Sequence, residues 1–181
     1  MSKNTKKIVL AGLFIALSFL GTMLNITIPV GASKTMFHFG NVFCLLASLM
    51  LGGVWGGTAG AIGMGLFDYV SPGFQLYVPQ TLVLKFCIGL ICGVMYKKLK
   101  IKNNILKIAV SCSAAMLFNI IFSPIASYFT SIYIIGTPKE LSTIMASWSA
   151  VTTSTNAVVA VVIATAVYAA LEKHIKTKIL Y

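Results

Sequence analysis

Long apolar runs, separated only by short stretches that carry lysines, constrain this chain more than any other feature. Only 9% of its 181 residues are charged and 58% are hydrophobic, where a soluble domain carries about 25% charged residues. Several of the runs approach or exceed the roughly 20 residues that a helix needs to cross about 30 Å of hydrocarbon. The composition predicts an all-α integral membrane protein, folded as a single membrane-embedded domain over residues 1–181.

Six transmembrane helices are expected, at Ile8–Ile28, Gly40–Leu51, Gly53–Tyr69, Pro79–Tyr96, Lys107–Ser131 and Thr143–Leu171. The second is short for a crossing. The N-terminal stretch from Lys3 to Leu24 resembles a signal peptide, but no small-x-small cleavage site follows it, so it reads as a retained first helix. Lysine placement sets the orientation. Lys3, Lys6, Lys7, Lys97, Lys98, Lys100, Lys102, Lys107, Lys173, Lys176 and Lys178 all fall on the side that holds both termini, whereas only Lys34 and Lys139 fall opposite. Both termini are therefore expected in the cytoplasm. Three segments then face outward as loops: Asn25–Phe39, Val70–Val78 and Ile132–Ser142.

The formal net charge of +11 would suggest nucleic acid in a soluble protein. Here every basic residue is a lysine and the lysines border apolar runs, so a bilayer explains them better. The absence of arginine also removes the side chain most suited to bidentate base contacts. No nucleic-acid partner is expected.

The segment from Gly52 to Gly65, GGVWGGTAGAIGMG, concentrates the chain's glycines. A Walker-type phosphate loop would need a Gly-Lys-Ser/Thr end, and no lysine occurs between Gly52 and Tyr69. A dinucleotide fingerprint would need a preceding strand. On a helix, Gly53, Gly57, Ala61 and Gly65 recur every four residues with Gly56 and Gly60 beside them, a spacing that lets helix backbones approach in lipid. This is read as a packing face. Gly12 and Ala16 give the first helix a smaller version of it.

Ionisable groups inside a bilayer are costly and mark candidate sites. Asp68 ends the third span, and Lys85 lies roughly 9 Å into the fourth at 1.5 Å per residue. The two either form a structural ion pair, or Asp68 steadies a Lys85 ammonium aimed at a ligand. Asn119, Ser123 and Ser127 share a face of the fifth span, where Pro124 is placed to kink the helix. Ser149, Thr152 or Thr153, and Asn156 share a face of the sixth, and Thr81, Gln80 and Lys85 lie together on the fourth. These faces either hydrogen-bond to one another or line a wet cavity open to the outside. Tyr77, Tyr128 and Trp148 are placed to stack a flat ring there, although Trp148 serves equally as an interfacial anchor. His38 and Asn41 flank the start of the second span. A lone histidine with no second one near it in sequence gives no metal site, and no cofactor is implied. The four cysteines sit in apolar segments and read as inert thiols. With three carboxylates in the whole chain and no nucleophile motif, an enzyme is not expected.

The stretches AGLFIAL (from Ala11), HFGNVFCLLASLMLGGVWGGTAGAIGMGLFDYVSPG (from His38) and YVPQTLVLKFCIGLICGVMY (from Tyr77) resemble the substrate-binding S components of energy-coupling factor (ECF) transporters. The likeness is to the group that includes riboflavin, hydroxymethylpyrimidine and pyridoxine types, and it covers essentially the whole length. Asn41 stands where that group usually has aspartate, and Phe86-Cys87 interrupts its usual lysine–glycine step. The resemblance implies an S component in a bacterial or archaeal cytoplasmic membrane that captures a vitamin or vitamin precursor from outside. It further implies docking through Gly12 and Ala16 onto a membrane coupling subunit driven by two cytoplasmic ATPases, followed by toppling of the whole component in the bilayer. The candidate substrate-binding residues are His38, Asn41, Asp68, Tyr77, Gln80, Lys85, Asn119, Ser123, Trp148 and Asn156. A cation, several amides and hydroxyls, and aromatic rings suit a flat heteroaromatic bearing hydroxyls. A pyridoxine-like or hydroxymethylpyrimidine-like compound is preferred over riboflavin. The rival readings are a self-sufficient secondary transporter, which would need charges across the full depth or matched broken helices, a membrane enzyme, and a purely structural subunit.

Overall fold

The computed structural model describes residues 3–31 and 33–178, with side chains left out at Lys3, Ser33 and 173–178. The side chains of Lys3, Lys173, Lys176 and Lys178, which entered the orientation argument, therefore lie outside the described residues. Six α-helices form: α1 (Lys3–Met23), α2 (Gly40–Leu51), α3 (Gly53–Val70), α4 (Val78–Lys98), α5 (Asn104–Phe129) and α6 (Lys139–Lys178). By length and composition, four segments are sufficient to cross a membrane: Asn4–Met23, Gln75–Lys98, Asn104–Ile135 and Lys139–Glu172. Helix α2 is apolar but shorter.

Local chemistry sets several helix ends. The Asn103 side chain accepts from the Leu106 N–H at 3.1 Å and so caps α5. Pro79 occupies the first turn of α4, where its missing N–H leaves no bond unmade. Gly52, at φ 91°, makes the single-residue joint between α2 and α3. Helix α5 runs through Pro124 and continues into a wider π-helical winding over Thr130–Ile135, which Gly136 ends at φ 76°. Much of the expected outward loop Ile132–Ser142 is therefore wound, partly in this turn and partly in α6. The expected loop Val70–Val78 holds a 3-10 turn at Gln75–Tyr77.

The main departure from the expected all-helical reading lies between α1 and α2. The expected loop is an antiparallel hairpin of β1 (Asn25–Val30) and β2 (Ser33–His38), in register from Asn25 opposite His38 to Val30 opposite Ser33. Gly31 begins the connection at φ 58°, as a two-residue hairpin turn requires. At the base, the Asn25 side chain donates to the Thr22 carbonyl at 2.9 Å. The Phe39 N–H donates to the Gly21 carbonyl at 2.9 Å, which fixes the hairpin to the end of α1.

Helix α3 touches three neighbours through three glycine faces. A Cβ on Gly89 of α4 would overlap the backbone of Gly57, and one on Gly93 would overlap that of Gly53. A Cβ on Gly56 would collide with Ser48 of α2, and one on Gly63 with the Ile15 carbonyl of α1. Helix α2 is buried along almost its whole length, as expected for a helix apolar on every side. Its Leu45, Leu46 and Leu49 join Phe14, Ile88, Ile108, Met116 and Tyr168 in the apolar core. That core fills the half of the bundle toward the α4–α5 loop. The other half, beneath the hairpin, is polar.

Candidate ligand-binding cavity

A cavity of about 110 Å³ lies in that polar half, lined from the hairpin, α1 and all of α3 to α6 as well as the start of α2. Three links hold the hairpin over it. Asn156 of α6 works in both directions on β2: its Oδ1 accepts from the His38 N–H at 3.0 Å, and its Nδ2 donates to the Met36 carbonyl at 3.0 Å. A side-chain amide thereby takes the place of a neighbouring strand on the exposed edge of β2. The Thr35 and Thr152 hydroxyls meet at 2.6 Å. At the hairpin tip, the Lys34 ammonium donates to the Pro72 carbonyl at 3.3 Å.

The charged groups are spread around the wall. Lys85 Nζ donates to Asn41 Oδ1 at 3.1 Å, and Asp68 Oδ2 accepts from the Thr81 hydroxyl at 2.5 Å. Among the described residues no ion pair joins Lys85 to Asp68. Each charge is met by a neutral partner, which leaves both with unused hydrogen-bonding capacity on the cavity side. On the hairpin, burial and then the Lys85 charge push the His38 imidazole down to about 3. His38 is therefore neutral at ordinary pH. Its Nδ1 accepts from the Gly40 N–H at 3.1 Å, so the ring proton sits on Nε2.

On the remaining wall, Gln80 Oε1 accepts from the Thr130 hydroxyl at 3.0 Å, and the Thr153 hydroxyl reaches Ser123 Oγ at 3.4 Å. Asn119 is 1% exposed, and neither its Oδ1 nor its Nδ2 has a partner.

The cavity brings together His38, Asn41, Asp68, Tyr77, Gln80, Lys85, Asn119, Ser123 and Asn156 from the expected set. Trp148 is the exception. It lies off the edge of the α6 face that carries Met145, Ser149, Thr152 and Asn156, and it is 42% exposed beside the outward-facing Ile144 and Val151. Tyr128 is also outside the lining and packs edge-on against Phe129. The aromatic surface comes instead from Tyr77 and from Phe74, which sequence reasoning missed. Also missed were Lys34, Thr35 and Met36, because their reach depends on the hairpin folding back over the bundle. The β-branched run Ile26-Thr27-Ile28 with Val30, ahead of a glycine turn, was the available signal.

The family model described as "ECF-type riboflavin transporter, S component" matches residues 2–173. The chain belongs to this ECF S component family. S components are substrate-binding subunits of transporters. The chain is thus a multi-pass helical protein of the cell membrane. It is 33% identical over 72 residues to a Pyrococcus woesei protein described as "Uncharacterized protein in gap 3'region", a match spanning 40% of this chain and 47% of that one. The matched part is thus about half the length of that relative. No solved structure matches the chain significantly.

Proposed function

We propose that this S component captures a flat, hydroxyl-bearing heteroaromatic vitamin or vitamin precursor from outside the cell, in the cavity beneath the hairpin. The observation that carries the reading is the joint placement of Lys85, Asp68, Asn119 and Asn156 around one cavity, roofed by a strand that α6 holds through the side chains of Asn156 and Thr152. The proposed topology has six crossings in one membrane-embedded unit of a bacterial or archaeal cytoplasmic membrane. Both termini are inside, so that the hairpin faces out. Gly12 and Ala16, both exposed on α1, are the proposed docking surface for the coupling subunit, which two ATPases drive.

Within the ligand class, a pyridoxine-like or hydroxymethylpyrimidine-like compound is preferred. A cavity of about 110 Å³ with Phe74 and Tyr77 as its aromatic lining favours one ring over three. Riboflavin is the second reading, favoured by the description of the matched family. Small molecules released from the detergent-purified protein and identified by mass spectrometry, then titrated back by calorimetry, test both. One-to-one binding of a single-ring vitamin without ATP is expected. Riboflavin in its place would establish the second reading. A protein that arrives empty and ignores the whole vitamin panel would overturn the capture role and favour a secondary transporter.

A further inference from the structure

The lining amides of the cavity are not equivalent. Asn41 holds Lys85, Asn156 spends both amide atoms on β2, and Gln80 accepts from Thr130. Asn119 alone among the described lining amides has neither atom engaged, although it is 1% exposed. A buried polar group without a partner destabilises a fold, and an orphaned amide has an unmet acceptor and an unmet donor at once. No group among the described residues occupies them. Its neighbours on α5 along the same face, Ser123 and Ser127, also line the cavity, so Asn119 belongs to a polar stripe along that helix.

We infer that Asn119 reads an amide- or amidine-type edge of the ligand, meaning an acceptor and an N–H donor side by side on one ring. This rests on the capture role proposed above and narrows its substrate class. A primary amide meets such an edge with two parallel hydrogen bonds, the geometry by which asparagine or glutamine engages the neighbouring donor and acceptor of adenine. An isolated hydroxyl or hydroxymethyl group satisfies only one of the two atoms. Replacing the edge with groups that engage one atom leaves the other unpaired in a buried position, so discrimination comes from the unmet partner rather than from shape. Aminopyrimidines carry this edge, and so does the pyrimidinedione end of a flavin, whereas a pyridine that bears only hydroxyl and hydroxymethyl substituents does not. The aminopyrimidine therefore ranks ahead of the pyridine as a ligand.

The test is calorimetric titration of the full-length, detergent-purified protein with three probes: 4-amino-5-hydroxymethyl-2-methylpyrimidine, riboflavin and pyridoxine. Wild type is compared with Asn119→Leu, which fills the same space without polar atoms, and with Asn119→Asp, which keeps the volume and removes the donor. Wild type is expected to bind at least one of the first two probes more tightly than pyridoxine. Both variants are expected to weaken that probe by about tenfold to a hundredfold, the equivalent of one or two buried hydrogen bonds. Thermal unfolding confirms which variants fold, and Asn119→Asp carries the test if Asn119→Leu does not. A wild type that prefers pyridoxine would overturn the inference while leaving vitamin capture standing. So would a folded variant that binds the amide-edged probe as wild type does, since a water would then be what satisfies Asn119. A wild type silent to all three probes would overturn this inference, and silence to the whole vitamin panel would remove the capture reading with it.

Discussion

Single residues in this protein are legible in proportion to how little else they can do. Lys85 stands out in a run otherwise free of charge, and the structure places it on the cavity wall with one hydrogen bond, to Asn41. Asn41 offers Lys85 a neutral acceptor, so the nearest partner of Lys85 carries no opposite charge. Lys85→Met is expected to lower ligand affinity by about tenfold or more, because charge-assisted hydrogen bonds contribute about 1.5–3 kcal/mol each. Chromatographic monodispersity should be kept, and calorimetry of the purified variant measures both. An unchanged affinity would make Lys85 a structural tether for α2. Trp148 shows the opposite case. An aromatic residue near a helix end serves a pocket and a lipid interface equally well by composition, and only the rotation of α6 turns it away from the cavity.

At the scale of elements, the glycine-rich helix was the most readable and the hairpin the least. Small residues every four positions have one physical use in lipid, close backbone approach, and α3 meets α4, α2 and α1 in that manner. The two glycine sets are nonetheless different in kind. A side chain on Gly89 would enter the Gly57 backbone, whereas a Cβ on Gly12 has nothing within 4 Å. Gly89→Leu is expected to destabilise or prevent folding, since overpacking a close contact typically costs about 1–3 kcal/mol and can cost more against backbone that cannot move. Gly12→Leu should leave the melting temperature of the isolated S component within a few degrees of wild type. Thermal scanning in detergent separates the two, and equal melting temperatures would contradict the α3–α4 contact. The Asn25–Phe39 segment is rich in turn and polar residues, so its sequence reads as a loop. Its strands are anchored by the end of α1 and, from more than a hundred residues along the chain, by Asn156 and Thr152, and the last two leave no local signal in the sequence.

For the whole molecule, the lysine asymmetry argues for an orientation that sequence alone can state and labelling can check. With the four native cysteines replaced by alanine, a cysteine introduced at Lys34 is expected to react with a membrane-impermeant maleimide on intact cells. A cysteine at Lys100 should react only after permeabilisation. The reverse pattern would place the hairpin and cavity inside and defeat capture from outside. Membrane class, helix number and the existence of a polar half were readable in the chain because they follow from hydrophobicity, length and periodicity, which are properties of a segment taken by itself. Which polar groups remain unsatisfied was not. Asn119, Asn156, Gln80 and Asn41 are all amides with the same chemistry on paper. Only the tertiary structure decides that Asn156 spends both atoms on a strand while Asn119 spends neither, because a hydrogen bond depends on what other segments bring within about 3 Å.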